Sequence, residues 1–290
     1  MPSSAAFHYP TVARAIAFVR AQPYRAPSPE AVAEALGLDL AEWRQVLAEW
    51  AGVTPARFLH CLGRQYARER LSRTPELLPE THAGDRARTQ HIRQLTWEAM
   101  TPATMRATAQ GIELGYGLSA TPFGDALLAW TACGLCHLAF RSTDAAALLA
   151  ELRDLWPAAA LVRDDAGARS LTQRIFPPRS LATSATTVST PAGPAAPDRG
   201  SVHLVLRGTP FQIRVWSALM RIPPGHLLSY RQFATLLGMP AAPRSVGSAI
   251  AANTLGYLVP CHRLIRANGD AGEFRWGRER KLALLAWEAA

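Results

Sequence analysis

Between residues 11 and 73 the apolar side chains recur at helical spacing. Val32 and Leu36 form one stripe, and Leu40, Trp43, Val46, Leu47 and Trp50 form the next. Gly37 and Gly52 interrupt the pattern, which predicts short helices joined by tight turns. Over residues 111–140 the pattern changes to short apolar runs punctuated by Gly and Pro, and DAAALLAELRDLW at 144–156 returns to helical spacing. A small sheet with a helix against it is the simplest reading. Further on, TPFQIRVWSALM starts as a capped helix, with Thr209 as N-cap, Pro210 in the first turn and Phe211, Val215 and Leu219 on one stripe. Ser229 precedes a second helix that Gly238 closes, and a third, over residues 244–252, carries almost only small side chains. Helix, glycine turn and helix together describe a helix-turn-helix.

Residues 177–201, PPRSLATSATTVSTPAGPAAPDRGS, have almost no large apolar side chain and cannot offset their own ordering entropy, so they read as a linker or a long surface loop. No internal repeat of fixed period is visible. At 290 residues, 49% of them hydrophobic and 18% charged, the chain is too long for one typical domain and too apolar for wholesale disorder. Its longest weakly polar stretch, 126–140, is too short to span a bilayer. No secretory signal is apparent, and a cytoplasmic, nucleoid-associated protein is expected, without a membrane partner and as a monomer by default. The four cysteines, 61, 133, 136 and 261, do not suggest a disulfide framework. Cys133 and Cys136 form a C-x-x-C without a second ligand pair, so packing is a better reading than zinc or redox chemistry, and no metal or cofactor is expected.

The net charge of +9 is uneven, because residues 201–290 hold 11 basic and 4 acidic side chains. Genome composition can explain why all but Lys281 of those basic residues are Arg, but not why they cluster; a module near +7 has the footprint of a polyanion binder. Inside it lies LVPCHRLI, with Cys261 between Pro260 and His262. A thiol attacks as thiolate and needs a base or a positive field, which His262 and Arg263 can supply. Adjacent residues point in different directions, so His262 is expected to reach the sulfur through a water. Standing alone, the motif is equally compatible with a buried structural cysteine.

It does not stand alone. GTPFQIRVWSALMRIPPGHLLSY, PRSVGSAIAAN, VPCHRLI and WGRERKLALLAWE follow one another over residues 208–288 and resemble the O6-alkylguanine-DNA alkyltransferase family. The resemblance implies direct repair, in which the alkyl group on guanine O6 moves irreversibly to the cysteine, once per molecule and without a cofactor. It implies Cys261 as acceptor, His262 as water-mediated base, Glu288 as the acid that orients it, Asn253 as holder of the active-site turn and Tyr230 as proton donor to the guanine ring. The partner implied is double-stranded DNA containing O6-alkylguanine, met from the minor groove without sequence preference. The base must leave the stack to reach a buried thiol, and Arg244 matches the arginine that fills its place. Small residues at Ser245, Gly247, Ser248 and Ala251 suit close backbone approach to that groove. Arg263 and Phe274 complete the expected DNA-contacting set. The chain departs from the family at Thr254, where a proline is usual and a less rigid turn is implied. It departs again at Glu273 and Phe274, where Gly-Tyr or Asn-Tyr is common, which puts alkyl preference and rate in question.

Upstream, residues 109–161 resemble the small mixed domain that precedes this module in the family. Residues 30–71 resemble one helix-turn-helix half of AraC-type regulators, as found fused to such a module in Ada-type proteins. The expected recognition helix, 40–50, carries Glu42 and Glu49 against Arg44, which suits a polyanion poorly. The second half, 72–105, retains little beyond EAMTP. The four-cysteine zinc domain of Ada-type proteins has no counterpart in these residues, and methyl-triggered control is expected to be lost or altered. The expected fold class is α+β and multidomain. It comprises a partly degenerate helical unit (1–105), a small mixed α/β ribonuclease-H-like domain (106–176), a linker (177–201) and a mostly helical, winged-helix-like alkyltransferase domain (202–290). A regulator or lesion binder whose cysteine no longer reacts is the competing reading.

Overall fold

The computed structural model describes residues 4–22, 26–73, 94–100, 111–142, 144–177 and 201–289. Nearly all of the expected linker, and all of the expected second helix-turn-helix half except 72–73 and 94–100, lie outside these residues.

Helix ends follow local chemistry. After α1 (Ser4–Arg20), α2 (Pro29–Leu36) begins where the Ser28 hydroxyl accepts from the Ala31 N–H and stops at Gly37. A reciprocal capping box between Asp39 and Glu42 opens α3 (Leu40–Ala51), which stops at Gly52. Both glycines are left-handed, with φ of 73° and 68°, a conformation that a side chain would strain. α4 (Pro55–Leu62) and α5 (Arg64–Arg73) follow. Val32, Leu36, Trp43, Leu47 and Trp50 from the helical stripes are all buried.

Six strands, β1 (Gln94–Met100), β2 (Glu113–Thr121), β3 (Gly124–Trp130), β4 (Leu135–Phe140), β5 (Ala160–Arg163) and β6 (Ser201–Arg207), form one mixed sheet in the order β1-β6-β4-β3-β2-β5. α6 (Ala145–Leu155) and α7 (Asp165–Ile175) lie between its later strands in the chain. This corrects the expected boundaries at 105 and 201. Residues 94–100 are a strand rather than part of a helical unit, and they pair in parallel with 201–207, so the sheet takes strands from both sides of the expected middle domain. Cys136 is buried in β4, its thiol donating to the Ala129 carbonyl at 3.3 Å, whereas Cys133 is exposed.

The C-terminal helices start where the sequence marks them. α8 (Pro210–Leu219) has a capping box between Thr209 and Gln212, and α9 (Tyr230–Leu236) has one between Ser229 and Gln232. α10 (Pro243–Ala251) and α11 (Arg278–Glu288) complete the set. No helix among the described residues is long and apolar enough to cross a membrane.

These parts share one core. The Trp50 indole N–H of α3 donates to the Pro122 carbonyl at 2.8 Å, and its ring meets Trp287 of α11 edge-on at 5.4 Å. Phe123 packs against Tyr9, Phe140, Phe176, Tyr257 and Trp287, from both ends of the chain. Arg280 of α11 donates to the carbonyls of Phe123 and Arg141 and lies over the rings of Tyr9 and Phe140. The last helix is therefore clamped by the first helix and by the sheet.

Candidate active site

A short 3-10 turn, Cys261–Arg263, carries the motif. Two backbone pairings fix its place. β7 (Leu228–Ser229) runs parallel to β8 (Leu264–Ile265), which ties the start of α9, and so Tyr230, to the residues just after the turn. On the other side, the Leu138 N–H donates to Thr254 O at 2.9 Å and the Gly256 N–H donates to Leu138 O at 2.8 Å, so β4 grips the segment between α10 and Cys261. A Cβ on Gly256 would lie 3.0 Å from Leu138 O and from the Phe140 ring, which is why glycine stands there. The looser turn implied by Thr254 is thus countered by β4.

Asn253 organises this segment from within. Its Oδ1 accepts from the Leu255 N–H at 2.9 Å, and its Nδ2 donates to Val259 O at 3.1 Å and to Cys261 Sγ at 3.4 Å. Cys261 is 6% exposed. Burial pushes its thiol pKa up, while the Asn253 hydrogen bond and the nearby Lys281 charge pull the other way without reversing it. The resting group is a thiol that must lose its proton to react.

His262 is buried, and its Nε2 lies 3.0 Å from Glu288 Oε1. A carboxylate accepts, so Nε2 carries the hydrogen and Nδ1 is left basic. Nδ1 is buried and has no hydrogen-bond partner among the described residues. Burial lowers the pKa of this imidazole, against the opposing pull of Glu288, and keeps it neutral. The Tyr257 ring lies parallel to it, 7° apart in plane, and Tyr257 is the single non-glycine residue with positive φ among those described. Glu288 meets burial, which raises its pKa, and the Arg263 and His262 side chains, which outweigh burial and hold it ionised.

Arg263 was expected to contact DNA and does not face solvent. It is 1% exposed, grips Glu288 through Nε at 2.9 Å and Nη2 at 2.6 Å, and donates through Nη1 to Ile222 O. A guanidinium adjacent to Cys261 in sequence is spent on the carboxylate that also holds His262. The larger of the two positive charges acting on the thiol, ahead of Arg275, comes from a residue the sequence reading passed over. Lys281 is buried, donates to Leu264 O at 2.6 Å and sits 5.9 Å from the centre of the Tyr230 ring. Burial brings its pKa down to about 8. The signal was available, since Lys281 is the sole lysine among 31 basic residues. Tyr230 is half-buried, and burial together with nearby Cys261 raises its phenol pKa.

Around this centre, α10 buries Val246, Ala249 and Ile250 and exposes Arg244, Ser245, Ser248 and Ala251. A Cβ on Gly247 would meet nothing within 4 Å, so the packing of this chain does not require glycine there. Phe274 packs edge-on against Trp276 at 5.2 Å, and exposed Glu273 lies 3.4 Å from Arg278. Chemically, the assembly is a thiol, a neutral imidazole fixed by a carboxylate, a cation and a phenol, with α10 presenting Arg244 and otherwise small exposed side chains.

Known proteins resemble parts of this chain. Residues 210–290 match the family described as 6-O-methylguanine DNA methyltransferase, DNA binding domain. The bifunctional transcriptional activator/DNA repair enzyme Ada of Escherichia coli (strain K12) is 36% identical over 190 residues, which are 66% of this chain and 49% of that protein. The methylated-DNA--protein-cysteine methyltransferase of Mycobacterium bovis is 48% identical over 87 residues, 30% of this chain and 53% of the relative. The crystal structure of Mycobacterium tuberculosis OGT in complex with DNA is 29% identical and overlaps 60% of this chain and 92% of its own, with a TM-score of 0.44. The chain spans about half the length of the curated relatives it matches. The chain is thus similar to Ada over 66% of its length, and over residues 210–290 to the DNA binding domain of the 6-O-methylguanine DNA methyltransferases.

Proposed function

We propose that this chain repairs DNA by moving an alkyl group, methyl above all, from guanine O6 to its own Cys261. The observation that carries the reading is the pair of nitrogens on His262, the residue after Cys261: one is fixed to Glu288 and the other is buried and without a hydrogen-bond partner among the described residues. The Cys261 proton passes through a bridging water to His262 Nδ1, and Glu288 stabilises the imidazolium that forms. Sulfur attacks the alkyl carbon, so the S–C bond forms as the C–O6 bond breaks. Tyr230 supplies a proton to the departing guanine ring, and Lys281, against its face, favours the phenolate left behind. The phenolate then regains the proton held on His262, so the products are an S-alkylcysteine and normal guanine. The thioether cannot be turned over, and each molecule acts once.

Arg244, Ser245, Gly247, Ser248 and Ala251 form the DNA-facing surface in this reading, supported by the exposure of all but half-buried Gly247 on α10. Close backbone approach without side-chain readout suits the minor groove of a duplex, an extruded base and indifference to sequence. Phe274 offers a stacking face, and exposed Glu273 makes the cleft margin less welcoming to anions. The sheet with α6 and α7, and the helices from α8 onward, are read as the ribonuclease-H-like and winged-helix-like units that the resemblance implies. A regulator role draws less support, because the exposed side of α3 presents Glu42 beside Arg44 and Gln45.

A Cys261→Ala variant tests the assignment. It is expected to shift a duplex containing O6-methylguanine in a gel and to leave the lesion in place. Removal of the methyl group at the wild-type rate by that variant would overturn Cys261 as the acceptor.

A further inference from the structure

We propose that α5 extends the DNA-binding surface past the recognition helix, with Arg64 and Arg68 engaging the phosphate backbone next to the lesion. The inference rests on duplex DNA as the partner, and goes beyond it by adding a second, N-terminal element to the interface.

α5 is built onto the margin of the active site. Arg68 Nε donates to Asn268 O at 3.1 Å, and a Cβ on Gly269 would lie 2.8 Å from Arg64 O, so the two backbones are nearly in contact. Arg64 faces Asp270 at 3.5 Å, and Asp270 also pairs with Arg266 and Arg278. At the other end of the helix, Gln232, two residues beyond Tyr230, donates through Nε2 to Leu71 O at 3.3 Å. Leu71 itself packs into a small apolar cluster with Leu227 and Ile265. The helix therefore lies along the 266–270 loop and reaches the start of α9. That loop leads within a few residues to Gly272, Glu273 and Phe274 at the cleft.

The outward side of this arrangement is cationic. Arg64 and Arg68 of α5 are exposed, the Arg64 side chain at 69%, and so are Arg231 of α9 and Arg266 of the loop. Across the same module lies exposed Arg244. Asp270 answers two of these cations only weakly, since its contacts with Arg64 and Arg266 are 3.5 and 4.0 Å long, and it pairs more closely with Arg278, at 3.2 Å. Exposed arginines on α5, on α9 and on the loop between them and the proposed reaction centre fit the polyanionic backbone of a duplex better than a protein or a membrane, although Glu69 of α5 is exposed as well. The assignment also reverses the expectation for the helical unit, whose contribution comes from α5 rather than from α3.

Binding to an undamaged duplex, measured against salt concentration, tests this without depending on alkyl transfer. An Arg64→Ala/Arg68→Ala variant is expected to bind more weakly, with the log–log salt slope shallower by about two, one for each lost phosphate contact. Arg64→Lys/Arg68→Lys should restore the slope, since an ammonium also meets phosphate. In the wild-type protein, duplex should protect Arg64 and Arg68 from phenylglyoxal. An unchanged slope, tighter binding by the alanine variant, or unprotected arginines would overturn the proposal. Loss of methyl transfer alone, with the slope behaviour intact, would instead count against the repair reading.

Discussion

Glu288 holds an imidazole and a guanidinium at once, and both are buried with it. Replacing it with Gln leaves the Arg263 cation without a counter-charge in a dry site, a loss of about 3–5 kcal/mol for a broken buried pair. Its folded pKa lies below the unfolded value, so the stability it provides is present above the ordinary glutamate range and is lost as pH falls through the folded value. The same carboxylate raises the His262 pKa against burial. Transfer to wild-type protein should therefore fall on the acid side at a pH below the usual histidine range. In Glu288→Gln that acid limb should move lower still, with a slower maximal rate and a lower melting temperature. Stopped-time transfer assays across pH, with thermal unfolding beside them, check both; a limb that moves to higher pH would contradict the proton inventory. Arg263 and Lys281 show how far residue types can be read without coordinates. Adjacency to Cys261 made Arg263 look like a surface cation, because sequence neighbours carry no information about burial. Lys281 was identifiable by its singularity, although nothing in the sequence gave it a partner.

At the scale of elements, capping chemistry was the most legible feature. Thr209 and Ser229, marked in the sequence, cap the helices that follow them, and Ser28 and Asp39, not singled out there, do the same, because short hydroxyl and carboxylate side chains satisfy first-turn N–H groups locally. The β1–β6 pairing was not legible, since residues 94–100 meet 201–207 in parallel across more than a hundred residues, and no local pattern encodes such a partner. α10 gives the sharpest elementary test. Alanine at Gly247 meets nothing in the protein and suits a helix interior, so Gly247→Ala should stabilise the fold by about 0.5–1 kcal/mol. The added methyl stands on the face proposed to meet DNA, so duplex binding should weaken. Thermal unfolding and gel shift read the two effects separately. A variant that binds as well as wild type would remove α10 from the interface.

Across the whole molecule, a helical unit, a sheet and a catalytic module were expected as separable domains. The structure joins them through Trp50, Phe123, Arg280 and Trp287, so α1, α3 and the turn between β2 and β3 brace the helix that carries Glu288. Apolar periodicity announced that Trp50 is buried, but not what it is buried against. A shared core predicts one cooperative unfolding transition, with far-ultraviolet dichroism and tryptophan fluorescence changing together. Two resolved transitions would mean that the units are energetically independent.

The central claim is that the Cys261 sulfur accepts an alkyl group from DNA. Incubating the full chain with duplex containing O6-methylguanine and examining the Cys261 peptide by mass spectrometry tests it directly. The account predicts one added methyl on Cys261, none on Cys61, Cys133 or Cys136, and an equal amount of guanine restored. An unmodified Cys261 peptide after the lesion has been repaired, or a methyl group found on another cysteine, would contradict it.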